Sequence, residues 1–493
     1  MKASVRMSRQ SLFETAPQAL PVLLGVSIFV LMVVSGSALL NDPDTYWHIA
    51  LGRWILENHA VPGVDPFSHT MPGAPWHAHE WAAGLLLAAA HAFAGWAGVV
   101  LVAAAAIGLT FGIFAWGLSV TLRPVYVLVL TVLALMGLSA HLLARPHIVV
   151  LPVLTLWTVL MVFARAGGRR PPLWAALLMV PWANMHGSFP IGLGLAGLLA
   201  LEAFFEERSG QGRVRVIRDW GLFLTLSTLA AFVTPFGLQG FLFPFQIGGM
   251  EKSFKWIMEW HPQDFSRPSP LEAWLMVMLA VALYRGLRIP PFRLVLCLGL
   301  LHLTLAHARM ADYLILIVPL LLCPLIAAQW PDAPAGSAPA PLSRGMRLGG
   351  AAALALIVLA AAAMLAGSAV APSEDKSPVA ALAAARQAPF FTEPVFNDYN
   401  FGGYLIFERV PTFIDGRADM YGDDFLDRAL TAASDPLAKP DLADLLEKYR
   451  IGWTLFHADD VAARLMDTNP DWVEFYRDDV AVIHVPTAQA DRN

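Results

Sequence analysis

Charge is scarce in this chain. Of its 493 residues only 14% are Asp, Glu, Lys or Arg, while 57% are hydrophobic; soluble domains carry roughly 25% charged residues. An ordinary water-soluble globule is excluded. Basic residues are not in excess either: 33 Lys and Arg against 38 Asp and Glu give a net charge of −5. Nucleic-acid binding needs a clustered basic surface, so no nucleic-acid partner is expected. Cysteine is nearly absent. Cys297 and Cys323 both fall in apolar runs, and neither a disulfide framework nor a thiolate metal site is supported.

What the chain has instead is apolar runs of 15–25 residues, recurring along the first 370 positions. That is the length a helix needs to cross about 30 Å of hydrocarbon. The first run, 19–40, follows Lys2, Arg6 and Arg9 and superficially looks like a signal peptide. It lacks an A-x-A-type cleavage site before the polar stretch and reads as a retained first span. The expected spans are 19–40, 97–121, 124–142, 147–165, 172–186, 188–206, 219–236, 270–285, 293–307, 311–329 and 348–370, about 11 in all. With the N-terminus inside, the inner side carries 16 Lys or Arg and the outer loops of the membrane part carry six. The positive-inside rule favours that orientation. It also requires that 80–94 not cross, so this stretch reads as a helix lying at the outer interface. The first outer loop then runs over 41–95 and holds interfacial helices.

From 371 the composition becomes ordinary. PVFNDY, PTFIDGR, IGWTLFH and VAVIHV read as short strands, and 423–434, 440–449 and 459–467 as helices. Together they suggest a small soluble α/β domain over 371–493, outside the membrane, after a membrane domain over 1–370. The linker PDAPAGSAPAPLSRG at 331–345 reads as flexible.

Ionisable residues gather at the outer span ends: NDPDTYWH at 41–48, ARPH at 144–147, NMHG at 184–187, EWHPQD at 259–264 and HARMAD at 307–312. Such residues are costly near hydrocarbon and mark sites. Asp42 and Asp44, one residue apart just past a span, can share a divalent cation, or one can act as base while the other orients it. Either can equally cap a helix. His48 lies in the same block, and Trp47, Ile49, Leu51, Trp54, Ile55 and Leu56 are spaced to lie on the interface. Glu80, in the run His77-Ala78-His79-Glu80-Trp81, is a second candidate acid, a transition-metal ligand together with His77 and His79, or simply an acid favoured by a helix dipole.

Arg145 and His147 flank Pro146. The arginine offers a planar fork for phosphate oxygens, or snorkels to headgroups. Asn184 and His186 sit in a short turn and make either a structural hydrogen bond or a substrate contact. Glu259 and His261 close another outer loop, with Trp256 and Trp260 as interface anchors. Arg309 either pairs with Asp312 or clamps phosphate. In the tail, Asp398, Gly402, Gly403, Tyr404, Asp415, Gly416, Arg417, Asp419 and Tyr421 form a dense polar set. The Asp-Gly-Arg run reads as a turn with outward side chains.

The block DPDTYWHIALGRWILENHAVPGVDPFSHTMPGAPWHAHEW, with ARPH, WANMHGSF, TPFG, EWHPQDF and GGYL…FIDGRADMYG, resembles bacterial members of the GT-C superfamily of membrane glycosyltransferases. That superfamily includes protein O-mannosyltransferases, lipid A aminoarabinose transferases and oligosaccharyltransferases. The resemblance covers most of the chain. It implies a polytopic helical GT-C-like fold in the bacterial inner membrane. It further implies an inverting glycosyltransferase moving a sugar from a polyprenyl-phosphate donor to an envelope glycan, lipid or protein acceptor on the extracytoplasmic, periplasmic face. Carried over by position, Asp44 is the base and Asp42 its partner. A divalent Mg or Mn ion on these two residues is the cofactor it allows. An aromatic-Asp-Tyr-Gly signature like that of the oligosaccharyltransferases is lacking, which argues against transfer to asparagine. Two other classes stay open: a lipid-linked substrate transporter or flippase, whose sites belong near the midplane, and an inactive assembly factor.

Overall fold

The computed structural model describes residues 19–335 and 344–490. Lys2, Arg6, Arg9, linker positions 336–343 and the side chains of Arg344 and Arg347 lie outside the described residues. The chain divides into two compact units. One comprises the chain up to Gly36 with Val100–Phe241 and Glu259–Ala369; the other comprises Ser37–Val99, Leu242–Met258 and the chain from Val370 on. The first outer loop, grouped by sequence with the spans, therefore packs with the tail.

The first unit is helical. Among the described residues seven helices are long and apolar enough to cross a membrane: Ala19–Leu40, Trp81–Ser119, Pro124–His141, Pro146–Ala166, Phe189–Glu206, Ala308–Gln329 and Gly349–Ala366. The protein is thus a multi-pass membrane protein. Leu173–Met185, Pro270–Tyr284 and Pro291–Ala306 are shorter apolar helices, and Gly210–Ala231 carries Arg213, Arg215 and Arg218 in its first half. Each of the 11 expected segments holds a helix, but length and composition alone single out seven.

Proline sets several starts. Pro124, Pro146, Pro270 and Pro291 each open a helix, where the missing N–H costs nothing. Small residues set the closest crossing. A Cβ on Gly25 would lie 2.9 Å from the Gly108 carbonyl oxygen, so only glycine lets these two backbones meet. Ala308–Gln329 is 78% buried over its apolar window and Gly349–Ala366 only 11%. The former is the central helix and the latter a peripheral one.

In the second unit the helix Asp44–Asn58 buries the stripe that the sequence places on the interface. Ile49 and Leu51 are wholly inaccessible, and Trp47 and Ile55 nearly so. A β-carbon on Gly52 would collide with the Gly84 carbonyl, so this helix packs backbone to backbone on the one beginning at Trp81. The run Trp81–Ser119 is broken at Ala94 and Gly95, the latter at φ +59°. That left-handed conformation suits glycine. The break makes 81–93 a separate short helix from the span that follows.

The tail forms a four-stranded sheet: β1 (Val395–Asn397), β2 (Trp453–His457), β3 (Trp472–Arg477) and β4 (Ala481–Pro486), in the order β1-β2-β4-β3. β1 and β2 are parallel, with Phe396 opposite Thr454, and the other pairs are antiparallel. Helices Asp423–Ser434, Lys439–Lys448 and Val461–Asp467 fall where the sequence expects them. Phe390, Leu405, Trp453, Leu455, Ile483 and Val485 make the core.

One strand expectation fails and one strand is unexpected. PTFIDGR is not a strand, because its backbone bonds elsewhere: the Thr412 amide to Phe67 O, the Phe413 amide to Asn397 Oδ1 and the Arg417 amide to Asp415 Oδ1. β3 was not anticipated. It is a mostly exposed edge strand, without the apolar run that marks β4.

Candidate active site

The second unit holds the acidic helix start. Asp42 Oδ1 accepts the Asp44 amide at 2.8 Å, and the Trp47 indole N–H donates to Asp44 Oδ1 at 3.0 Å. Asp42 thus ties down the turn leading into the helix, whose N-cap is Pro43, while Trp47 orients the Asp44 carboxylate. A β-carbon on Gly416 would overlap Asp44 Oδ1, so the Asp-Gly-Arg turn of the tail packs directly on the candidate base. Glu80 lies between two imidazoles, 3.6 Å from His48 Nε2 and 3.7 Å from His79 Nε2. Burial raises the Asp419 carboxyl, partly offset by the positive fields of His79 and Arg417. Among the described residues no group of three or more His, Cys, Asp or Glu is arranged to hold a metal. One oxygen of Asp42 accepts the Asp44 amide and one oxygen of Asp44 accepts the Trp47 indole N–H.

The Asp-Gly-Arg side chains do not point outward. Arg417 and Asp415 are completely buried, and so is Asp65 from the first outer loop. Arg417 Nε and Nη2 donate to the two Asp415 oxygens at 2.7 Å each, and Nη1 donates to Asp65 Oδ1 at 2.6 Å. Asp65 also accepts the Phe67 and Ser68 amides, and the Tyr421 hydroxyl donates to Asp415. The guanidinium lies over the rings of Trp76 and Phe67. Burial alone would raise the Asp415 carboxyl, but the Arg417 charge and the Arg417 and Tyr421 hydrogen bonds carry it below its ordinary value. A charge without such partners would not survive there.

The first unit holds a cavity of about 120 Å³. It is built by segments far apart in sequence that all end helices. Arg145 stands in extended conformation just before Pro146 opens its helix. His186 follows the helix Met179–Met185, also extended. Arg309 sits in the single turn Ala308–Met310. Arg145 pairs with Glu259. His141 Nδ1 lies 2.7 Å from Asp312 Oδ1, and His147 Nε2 lies 3.9 Å from Asp312 Oδ2. His147 Nε2 is also 3.0 Å from the His141 carbonyl, and the His147 and His186 rings are 6.4 Å apart. The Arg309 guanidinium covers the Trp260 ring at 4.6 Å. Two guanidiniums and three imidazoles therefore face one small space with Glu259 and Asp312. Such a set suits a multiply charged oxyanion.

Of the residues singled out by sequence, Arg145, His147, His186, Glu259 and Arg309 line this cavity. Asn184 and His261 are not among its lining residues. Asn184 Nδ2 donates to the Val180 and Val233 carbonyls, tying the turn together, and the His261 carbonyl accepts the Ala308 amide. His48, Asp42, Asp44 and Glu80 belong to the second unit. Asp312 binds His141, a partner the sequence reading did not name. The signal was there: His141 closes the helical stretch Pro124–His141, four residues before Arg145. Trp256, expected to anchor at the interface, donates its indole N–H to Asp427 at 2.9 Å.

No family model matches the chain, and no curated protein matches it by sequence. Solved structures do resemble it. An oligosaccharyltransferase of Archaeoglobus fulgidus, tethered to an acceptor peptide with an NVT sequon, superposes with TM-score 0.55 at 11% identity. The match covers 91% of this chain and 70% of that one. The same enzyme solved with zinc and sulfate gives TM-score 0.50 at 12% identity, over 89% of this chain and 68% of that one. ArnT of Cupriavidus metallidurans bound to undecaprenyl phosphate gives TM-score 0.48 at 15% identity, over 94% and 97%. At these identities the likeness is one of fold. The chain has a GT-C-like membrane fold.

Proposed function

We propose that the chain is a membrane glycosyltransferase. It moves a sugar from a polyprenyl-phosphate-linked donor to an envelope glycan, lipid or protein acceptor on the extracytoplasmic face of the bacterial inner membrane. The observation that carries the reading is the convergence of Arg145, Arg309, His141, His147 and His186 on one cavity in a fold shared with an oligosaccharyltransferase. Scaffolding alone gives no reason to gather these groups at one set of helix ends.

The chemistry is a single displacement. The acceptor hydroxyl oxygen bonds to the anomeric carbon as the bond from that carbon to the phosphate oxygen breaks, and the configuration inverts. Asp44, oriented by Trp47, takes the hydroxyl proton. In the first unit, Arg145 with Arg309 and the imidazoles is the set suited to charge on a phosphate. Glu80 is the alternative base, held between His48 and His79. The oligosaccharyltransferase was also solved with zinc and sulfate. A magnesium or manganese ion on Asp42 and Asp44 stays within this reading, but no step depends on it.

In this reading 11 helices span the membrane, the basic loops are cytoplasmic and the tail is periplasmic. A reporter fused after Asn493 is expected to be active outside the cytoplasm; a cytoplasmic signal would reverse the topology. The activity test is transfer from a synthetic polyprenyl-phosphate sugar by membranes carrying the intact chain, Asp44→Asn or Glu80→Gln. Full product from both well-folded variants would reject the enzyme and favour the transporter or assembly-factor reading.

A further inference from the structure

A second concavity lies wholly within the second unit. It has a volume of about 190 Å³, and its walls include Trp54, Phe67 and Phe407, with Arg53, Glu57 and Arg409. None of these residues enters the chemistry above. Trp54 is half-buried, and among the described residues its indole makes no hydrogen bond or ring contact. An indole placed in a groove without a partner is a ready platform for an apolar ring face.

The polar groups around it have protein partners. Arg53 stacks on Phe407 at 4.0 Å, and its Nη2 lies 3.3 Å from His91 Nδ1. Arg409 pairs with Glu57 across the groove. Its φ of +62° is that of the residue closing the helix Gly402–Phe407, with its amide on the Ile406 carbonyl and the Val410 amide on the Leu405 carbonyl. Arg53 and Glu57 are one helical turn apart on Asp44–Asn58, so their side chains share a face.

We propose that this groove is a saccharide subsite, holding one sugar ring against Trp54 with Arg53, Glu57 and Arg409 as its hydroxyl partners. A sugar ring has what the groove asks for: an apolar face for the indole and a rim of hydroxyls for planar forks and a carboxylate. A lipid phosphate is less suited, because it has no apolar ring face to offer Trp54. An extended peptide fits poorly too, because the walls are helices and proline-containing turns (Pro66 and Pro411 among them), with no strand edge to pair with. Trp54 lies ten residues along the helix from Asp44, about 15 Å at 1.5 Å per residue. The ring it holds is therefore remote from the reacting hydroxyl. Resting on the glycosyltransferase reading, this selects a glycan chain among the possible acceptors.

The test uses the intact chain in detergent with maltotetraose, cellotetraose and chitotetraose as probes, followed by saturation-transfer NMR. At least one probe should bind. Trp54→Ala should weaken it about tenfold, the scale of one lost aromatic contact, and Trp54→Phe should weaken it less. Glu57→Gln, which keeps the helix, should also weaken it. No binding by any probe overturns the subsite, as does binding indifferent to Trp54→Ala, Trp54→Phe and Glu57→Gln, or stronger displacement by glycerol 3-phosphate than by free sugar. Asp44→Asn separates the two claims. If it abolishes transfer while no probe binds, the subsite alone fails. If it leaves transfer intact while the probe binds through Trp54, the subsite stands and the assignment of the base fails.

Discussion

Two sets of charges sit in this molecule under opposite conditions. Arg417 in the second unit is sealed from water, and its fork is filled by Asp415 and Asp65. Arg145 in the first unit faces a cavity shared with Arg309 and three histidines, and its partner Glu259 is 37% exposed. The first set has nothing left to bind. The second sets two guanidiniums and three imidazoles against two carboxylates around a space. Charge alone does not mark a site; charge beside a cavity, with partners that can yield, does.

The sharpest way to break this contrast is at the candidate base. Asp44→Asn keeps the size and an oxygen for the Trp47 N–H, so the fold should persist, while sugar transfer should fall by about 10²–10⁴-fold. Measured turnover within a factor of two of the unaltered chain would remove Asp44 from the chemistry.

Next comes the sealed pair. Arg417→Met leaves Asp415 and Asp65 buried without their cation, and losing one partner of such a network costs roughly 3–5 kcal/mol. The second unit should unfold at a clearly lower temperature and become protease-sensitive. A variant with unchanged melting would mean that the network is not structural. Arg145→Ala should do the reverse: an unchanged melting temperature and a loss of about 10²–10³-fold in turnover, the scale of one lost oxyanion donor. If it destabilises instead, the contrast between the two arginines collapses.

Much of this was legible in the sequence. Long apolar runs bounded by Pro and Arg gave helices at every expected span, since length, apolarity and proline punctuation are local properties. The polar span ends ARPH, NMHG, EWHPQD and HARMAD were legible as candidates because an ionisable residue near hydrocarbon is expensive wherever it points. Less legible was what each residue touches. DGR reads locally as an exposed turn, and only the distant Asp65, over 350 residues earlier, makes its burial tolerable. The stripe of Ile49, Leu51 and Ile55 carries the same periodicity whether it meets lipid or protein, so its burial was invisible. His141 was missed because it sits inside an apolar run and its partner Asp312 lies 171 residues away.

The smallest effect expected concerns a group at neither extreme. Asp398 is half-buried, and burial, reinforced by the Asp460 carboxyl, pushes its acid up to about 7. In an unfolded chain it would titrate near 3.9. Between about pH 4 and 7 the folded state therefore holds the proton more tightly than the unfolded state. Its contribution to stability must fall as pH rises through that window and level off above it. Asp398 Oδ1 accepts the Asn400 amide at 2.7 Å, and an asparagine can keep that bond through its carbonyl. Asp398→Asn should thus melt close to the unaltered protein at pH 4.5 and above it at pH 7.5, both values chosen to bracket the window. A melting difference that stays constant across the two would show that Asp398 is ionised in the folded chain as in the unfolded one.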